Sequence, residues 1–213
     1  DRRVADGQVK GELSDYRAAI TRYQDYLRSH PGDPGNGRVL YQLARAQEQG
    51  GALELALKTL DQLVRDFPNS PNRDEAQFRR GELLFTMREY VKAEQAYAAV
   101  LAGADKGYHE RALYMQGWTI FKQGRLEDSL NPLFAVLDSK LGGDSQDEAL
   151  ESLPNLTRAD RELVEDTFRV VSLSLANLQG AESIRPHINS DERRAYEFRV
   201  YQQLGELYLR QDR

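Results

Sequence analysis

"RRGELLFTMREYVKAEQAYAAVL", residues 79–101, reads as two short helices joined by a break rather than as one helix. Its first half carries Gly81 and its second half Ala93 and Tyr97, with the polar Met87-Arg88-Glu89 between them. A glycine inside a helix costs stability unless close packing needs it. Ala93 and Tyr97 stand one turn apart on one face, where they can meet that glycine from an antiparallel neighbour.

The same arrangement returns along the chain. The small residue of the second helix recurs as Ala19, Ala56, Ala93 and Ser129, at steps of 37, 37 and 36. Four positions later stand Tyr23, Leu60, Tyr97 and Leu133, and twelve positions earlier Gly7, Ala44, Gly81 and Gly117. Breaks fall at Gly50-Gly51-Ala52, Met87-Arg88-Glu89 and Gln123-Gly124-Arg125, where a left-handed residue can cap a helix. Pro31, Pro68 and Pro71 stop second helices and open the next hairpin. A fixed period of this length in an all-helical pattern predicts helix–turn–helix repeats stacked as a solenoid.

These residues resemble the tetratricopeptide (TPR) family. "YQQLGELY", residues 201–208, follows the first-helix signature, and "AITRYQDYLRSHP" and "ALKTLDQLVRDFP" follow the second with its proline. Gln77 and Leu113 depart from it where the family has Trp, and Asp105 and Leu141 where it has Pro. The resemblance implies an all-α right-handed superhelix of TPR hairpins. It covers residues 1–137 as four repeats, the first incomplete at its start. Residues 138–156 then form an acidic insertion with a short helix capped by Ser145 and Glu148. Residues 157–213 form an irregular fifth repeat and the first helix of a sixth, with Thr157 and Ser190 as helix caps. Pro132 is expected to kink its helix.

Composition narrows the function. The 213 residues are 40% hydrophobic and 30% charged, with mean hydropathy −0.69, as an ordered protein with much surface requires. No apolar run is long enough to cross a bilayer, so no membrane insertion by this stretch is expected. The start lacks a Met and a signal-like core, and the helical pattern runs to the end, which leads us to expect a segment of a longer protein. Without cysteine there is no disulfide or thiolate zinc site. A net charge of −5 leaves no footprint for nucleic acid. The imbalance is local: residues 138–166 hold nine acids and three bases.

No catalytic constellation stands out. His30, His109 and His187 are far apart and lack metal spacing, and no phosphate loop or nucleophile motif occurs. Neither enzyme activity nor any cofactor or metal is expected. What remains is a surface. In TPR proteins the first helices line a concave face, and the resemblance places Tyr41 and Arg45, Phe78 and Phe85, and Tyr114, Trp118 and Phe121 there. Aromatics flanked by charge suit a partner-binding hot spot, although packing between first helices also favours large residues at Tyr41, Phe78 and Tyr114. The Lys/Asn clamp of co-chaperones for acidic tails is absent, since those positions hold Tyr41/Arg45, Phe78/Glu82 and Tyr114/Trp118.

The long junction "FPNSPNRDEAQFRRGELLF" is similar to those of bacterial cell-envelope TPR proteins, of the TolA-binding and β-barrel-assembly lipoprotein types. That similarity implies a periplasmic scaffold binding a protein or peptide segment in its groove, tethered through regions outside this stretch. The alternatives are a structural spacer, an accessory region of an envelope enzyme or of a transport or assembly machine, and a cytoplasmic location.

Overall fold

The computed structural model describes residues 2–142 and 156–211, with side chains from Tyr16 onward. Ser145 and Glu148, read as a capping box, lie outside the described residues. Among the described residues the chain is helical and has no strand. The helices are α1 (Arg2–Ser29), α2 (Asn36–Gln49), α3 (Leu53–Asp66), α4 (Arg73–Thr86), α5 (Tyr90–Leu101), α6 (His109–Lys122), α7 (Leu126–Leu141), α8 (Arg158–Ala176) and α9 (Asp191–Arg210). Two compact units divide them, Asp1–Tyr108 and His109–Arg213.

The first unit holds α1 to α5, with α2–α3 and α4–α5 as tight hairpins. Their crossing is fixed by size. A methyl group placed on Gly81 would lie 2.6 Å from the Tyr97 ring, so α4 and α5 meet at a distance only glycine permits. In α2–α3 the corresponding pair is Ala44 and Leu60, both buried in the core cluster with Leu40, Ala56 and Leu63. A hydrogen bond from Thr59 to Gln47 (2.7 Å) satisfies two buried polar groups across this hairpin.

Each turn is closed in the same way. Gly51, Arg88 and Gly124 have φ of 79°, 63° and 77°. The next residue's amide bonds back to the helix just ended: Ala52 to Gln47 O (2.8 Å), Glu89 to Leu84 O (2.8 Å) and Arg125 to Ile120 O (3.3 Å). This is the left-handed cap that absorbs the last free carbonyls of a helix. The position one repeat earlier is Ser14, and there the structure departs from expectation. The first repeat has no hairpin; α1 runs unbroken from Arg2 to Ser29. Leu13-Ser14-Asp15 offers no glycine to reverse the chain, so the helix continues.

The second unit opens with the α6–α7 hairpin, where a methyl on Gly117 would lie 2.5 Å from Leu133. Helix α7 runs on to Leu141 with Pro132 inside it, so residues 138–141 belong to this helix and not to an insertion. Against it pack α8 and α9, burying Phe134, Leu137, Val164, Phe168, Val171, Tyr196 and Val200 in one cluster. Small residues again set the contact of α7 with α8: Ser129 and Ser174 share a 3.0 Å hydrogen bond, and both are buried.

Thr157 caps α8 by accepting from the Asp160 amide, and Ser190 caps α9 by accepting from that of Arg193, as read from sequence. Between them lie only two 3-10 turns, Gly180–Ser183 and Arg185–His187. Asp138, counted with the acidic stretch, is instead a clamp. Arg193 approaches it at 2.8 Å, Tyr196 donates to it at 2.5 Å, and the Arg193 guanidinium lies 5.0 Å from the Phe134 ring.

Two substitutions test these constraints by chemical denaturation. Arg88→Gly should stabilise the chain by about 1 kcal/mol, because an L residue in the left-handed region carries that strain. Gly117→Ala should destabilise it by about 1–3 kcal/mol through overpacking against Leu133. Equal midpoints for the three proteins would contradict the close-approach account.

Candidate functional site

The residues expected to line a binding face divide between the two units. In the first unit, Tyr41 and Phe78 are 3% and 2% exposed. This corrects the groove expectation for these two rings: they are packing residues. Phe78 meets Tyr97 edge-on at 5.8 Å and Tyr108 at 5.4 Å. Phe85 is half-buried and packs edge-on against Tyr90, 5.4 Å away, at the turn of its own hairpin. Arg45 is half-buried.

What this unit offers beside Tyr41 is charged. The Arg79 Nε donates to the Tyr41 hydroxyl at 3.0 Å, and the guanidinium lies 3.5 Å from Glu48 and 3.7 Å from Glu75. Burial, and then a hydrogen bond to Glu75, push the Tyr41 phenol up to about 12, against the pull of Arg79. Arg79 escaped the sequence reading because it stands one position past the aromatic taken to line the face. Its reach to Tyr41, 38 residues away, exists only once α2 and α4 are side by side.

In the second unit the expected residues do come together. Tyr114, Trp118 and Phe121 lie on successive turns of α6, and all three are partly exposed. The Trp118 indole N–H donates to the Tyr114 hydroxyl at 2.8 Å, which fixes the ring. Phe121 meets that ring edge-on at 5.6 Å. Two cations stand over the indole, the Lys122 ammonium at 5.4 Å and the Arg169 guanidinium at 6.0 Å. Such pairs are attractive because the face of an indole is electron-rich. Arg169 comes from α8 and is held by Asp166 at 2.7 Å. Sequence reasoning missed it, since the repeat register is lost after α7 and α8 has no glycine to align on.

Gly117 explains why the indole stands where it does. Gly117 faces α7 at the crossing point, so Trp118, one residue on, is turned about 100° around the helix. Its other edge rests on the core of the second unit. The result is an anchored aromatic plate with a mobile-chain cation, Lys122, and a fixed one, Arg169. It can take an apolar group on the plate and a carboxylate beside it. No group of three or more His, Cys, Asp or Glu side chains suited to a metal occurs among the described residues, and no helix there is long and apolar enough to cross a membrane.

The Tyr41 phenol gives a pH test. Its value in the fold lies above that of a free phenol, so its stabilisation is complete below about pH 10 and is lost as pH rises through that range. The denaturation midpoint should therefore fall above about pH 10, and Tyr41→Phe should make the fall shallower. A fall of equal depth in the variant would show that Tyr41 does not carry the effect.

Comparison with known proteins agrees with this architecture. Among curated proteins no relative matches the chain. Among solved structures, a double mutant of MamA from RS-1 superposes with a TM-score of 0.57 at 18% identity, covering 99% of this chain and 94% of that one. A putative kinesin light chain with TPR-like repeats from Podosopora anserina gives a TM-score of 0.57 at 13% identity, over 100% and 92%. At these identities the likeness is one of fold. The tetratricopeptide repeat model matches residues 5–71, 56–109 and 78–145. Those matches cover most of the chain and coincide with the hairpins built on Ala44, Gly81 and Gly117, and the chain belongs to the tetratricopeptide repeat family.

Proposed function

We propose that this chain is a non-catalytic scaffold that holds a segment of a partner protein against the face of α6 and α8 around Trp118. Tetratricopeptide repeats generally mediate protein–protein contacts, and the fold supports that general role. The observation that carries the finer reading is the Trp118 plate. It is an indole oriented by its own hydrogen bond, partly exposed, and flanked by Lys122 and Arg169. A large aromatic left partly open beside cations is what interface anchors are made of.

The chemistry defines the partner. The aromatic plate suits an apolar side chain, and the two cations suit carboxylates next to it. The segment therefore presents an apolar residue flanked by Asp or Glu. Binding weakens with salt, since Lys122 and Arg169 are exposed. The setting we propose is the bacterial cell envelope, supported by the resemblance of the 67–85 junction to envelope TPR proteins. Fractionation of cells producing the intact protein tests that setting, and recovery with the cytoplasm would reject it.

The binding face is tested with Trp118→Ala and Lys122→Glu, each measured for capture of the partner from extract and for thermal stability. Loss of an anchor at an interface centre costs about 2 kcal/mol or more, so Trp118→Ala should weaken capture at least tenfold. Lys122→Glu should weaken it and leave the melting temperature in place, because the side chain is exposed. Undiminished capture by both variants, at equal folded concentration, would reject this face as the site.

A further inference from the structure

Helices α8 and α9 give Val164, Phe168 and Val171 on one side, and Tyr196, Val200 and Leu204 on the other, to the core of the second unit. Beside that seam the side chains change from apolar to charged. Glu165, Asp166 and Arg169 from α8, and Arg199, Glu206 and Arg210 from α9, line a cleft of about 370 Å3. The sequence spacing explains the lining. Residues 199, 206 and 210 are seven and four apart, so they share one stripe of α9. That stripe stands about 100° or more around the helix from Gly205, so it is a different side of α9 from the one on which α4 and α6 take their hairpin partners at Gly81 and Gly117.

The charges in the cleft are unequally committed. Asp166 holds Arg169 at 2.7 Å. Glu206 accepts from Gln202 at 3.1 Å and lies 3.9 Å from Arg210. Arg199 is partly buried, whereas Arg169 and Arg210 are exposed. Burial pushes the Arg199 guanidinium down, a cost that an anion brought against it offsets. Arg169 belongs to two places at once. It lines the cleft, and its guanidinium stands 6.0 Å from the Trp118 ring. The aromatic plate and the cleft are therefore one continuous surface, with Arg169 between them.

We propose that this cleft is a second subsite of the partner-binding face, in which Arg199 and Arg210 hold a carboxylate side chain of the bound segment beyond the apolar residue seated on Trp118. The inference rests on the Trp118 face being the binding site. A guanidinium receives a carboxylate through two parallel hydrogen bonds, which fixes direction as well as charge. Glu165 sets the class of anion. It lines the same cleft, and a doubly charged group would meet it at greater cost than a carboxylate. Asp or Glu is therefore the better ligand and a phosphorylated side chain the poorer. The segment selected carries two acids rather than one. The first stands beside the plate at Lys122 and Arg169, and the second follows at a fixed spacing.

A set of acetylated, amidated octapeptides tests this. Leu and one adjacent Glu stay constant, a second Glu moves through the other positions, and the remainder is Gly and Ser. Each is titrated against the whole chain at low salt, with the fluorescence of Trp118, the only Trp, as the readout. One placement of the second Glu should bind about tenfold more tightly than the others, as a charged hydrogen-bonded pair allows. Arg199→Gln and Arg210→Gln should each abolish that preference and leave the response to Leu and the first Glu as it was. Arg210 is exposed, so its variant decides the matter if Arg199→Gln fails to fold. Glu165→Gln should tighten the preferred peptide and narrow its advantage over the same peptide with phosphoserine as the second acid. Equal binding at every placement, a preference that survives Arg210→Gln, or tighter binding of the phosphoserine peptide would overturn the second subsite and leave the Trp118 face standing. No fluorescence change with any peptide would overturn the face and the subsite together.

Discussion

The structure depends on how closely two helices approach at one point. Where Gly81 meets Tyr97 and Gly117 meets Leu133, no room remains for even a methyl group. Close-packed interiors do not absorb such overlaps at low cost, so the residue pair sets the distance and crossing of the whole hairpin. The rest follows from it. The crossing brings Ala93, Ala96 and Val100 into the interior, and it turns the residue after the glycine away from the partner helix. In α6 that residue is Trp118. The same contact that holds the hairpin together therefore presents the aromatic that we assign to partner binding.

A repeat fold gives each hairpin the same duty and leaves freedom on the remaining faces. The two units use that freedom differently. Around Tyr41 the first unit builds a lattice of charge, in which Arg79 serves Tyr41, Glu48 and Glu75 together. Around Trp118 the second unit builds an aromatic plate with two cations over it. The second unit also replaces repeat regularity with specific polar contacts. Lys140 joins Glu110 at 2.6 Å and Asp160 at 2.7 Å, tying three helices through one ammonium. Burial opposes that charge, yet the hydrogen bonds to Asp160 and Glu110 hold the ammonium above its ordinary range. Asp138 plays the matching part for Arg193 and Tyr196.

The hairpins were legible in the sequence because their steric demand is local and repeats. Gly81 and Tyr97 are 16 residues apart, and the pair recurs in register. The turn at Arg88 was legible from its polar surroundings, although Arg is a poor residue for the left-handed conformation it adopts. The missing hairpin in α1 was not foreseen, since Ala19 and Tyr23 carry the signature of a second helix whether or not a first one precedes it. Tyr41 and Phe78 were misplaced for a different reason. A large ring at that position can face a groove or a neighbouring first helix, and only the packed structure distinguishes the two. Arg169 and Asp138 act through contacts with helices distant in sequence, for which charge counting carries no signal.

The constraint at the centre of this account is measured most directly by a double-mutant cycle on the α4–α5 crossing. Gly81→Ala, Tyr97→Ala and the pair would be compared by equilibrium denaturation. If the two residues fix the crossing by contact, Gly81→Ala is costly beside Tyr97 and nearly harmless once the ring is gone. The coupling should then amount to about 1 kcal/mol or more, as for residues in direct contact. Strictly additive effects would show that the glycine and the tyrosine do not constrain one another, and would contradict the close approach on which the hairpins rest.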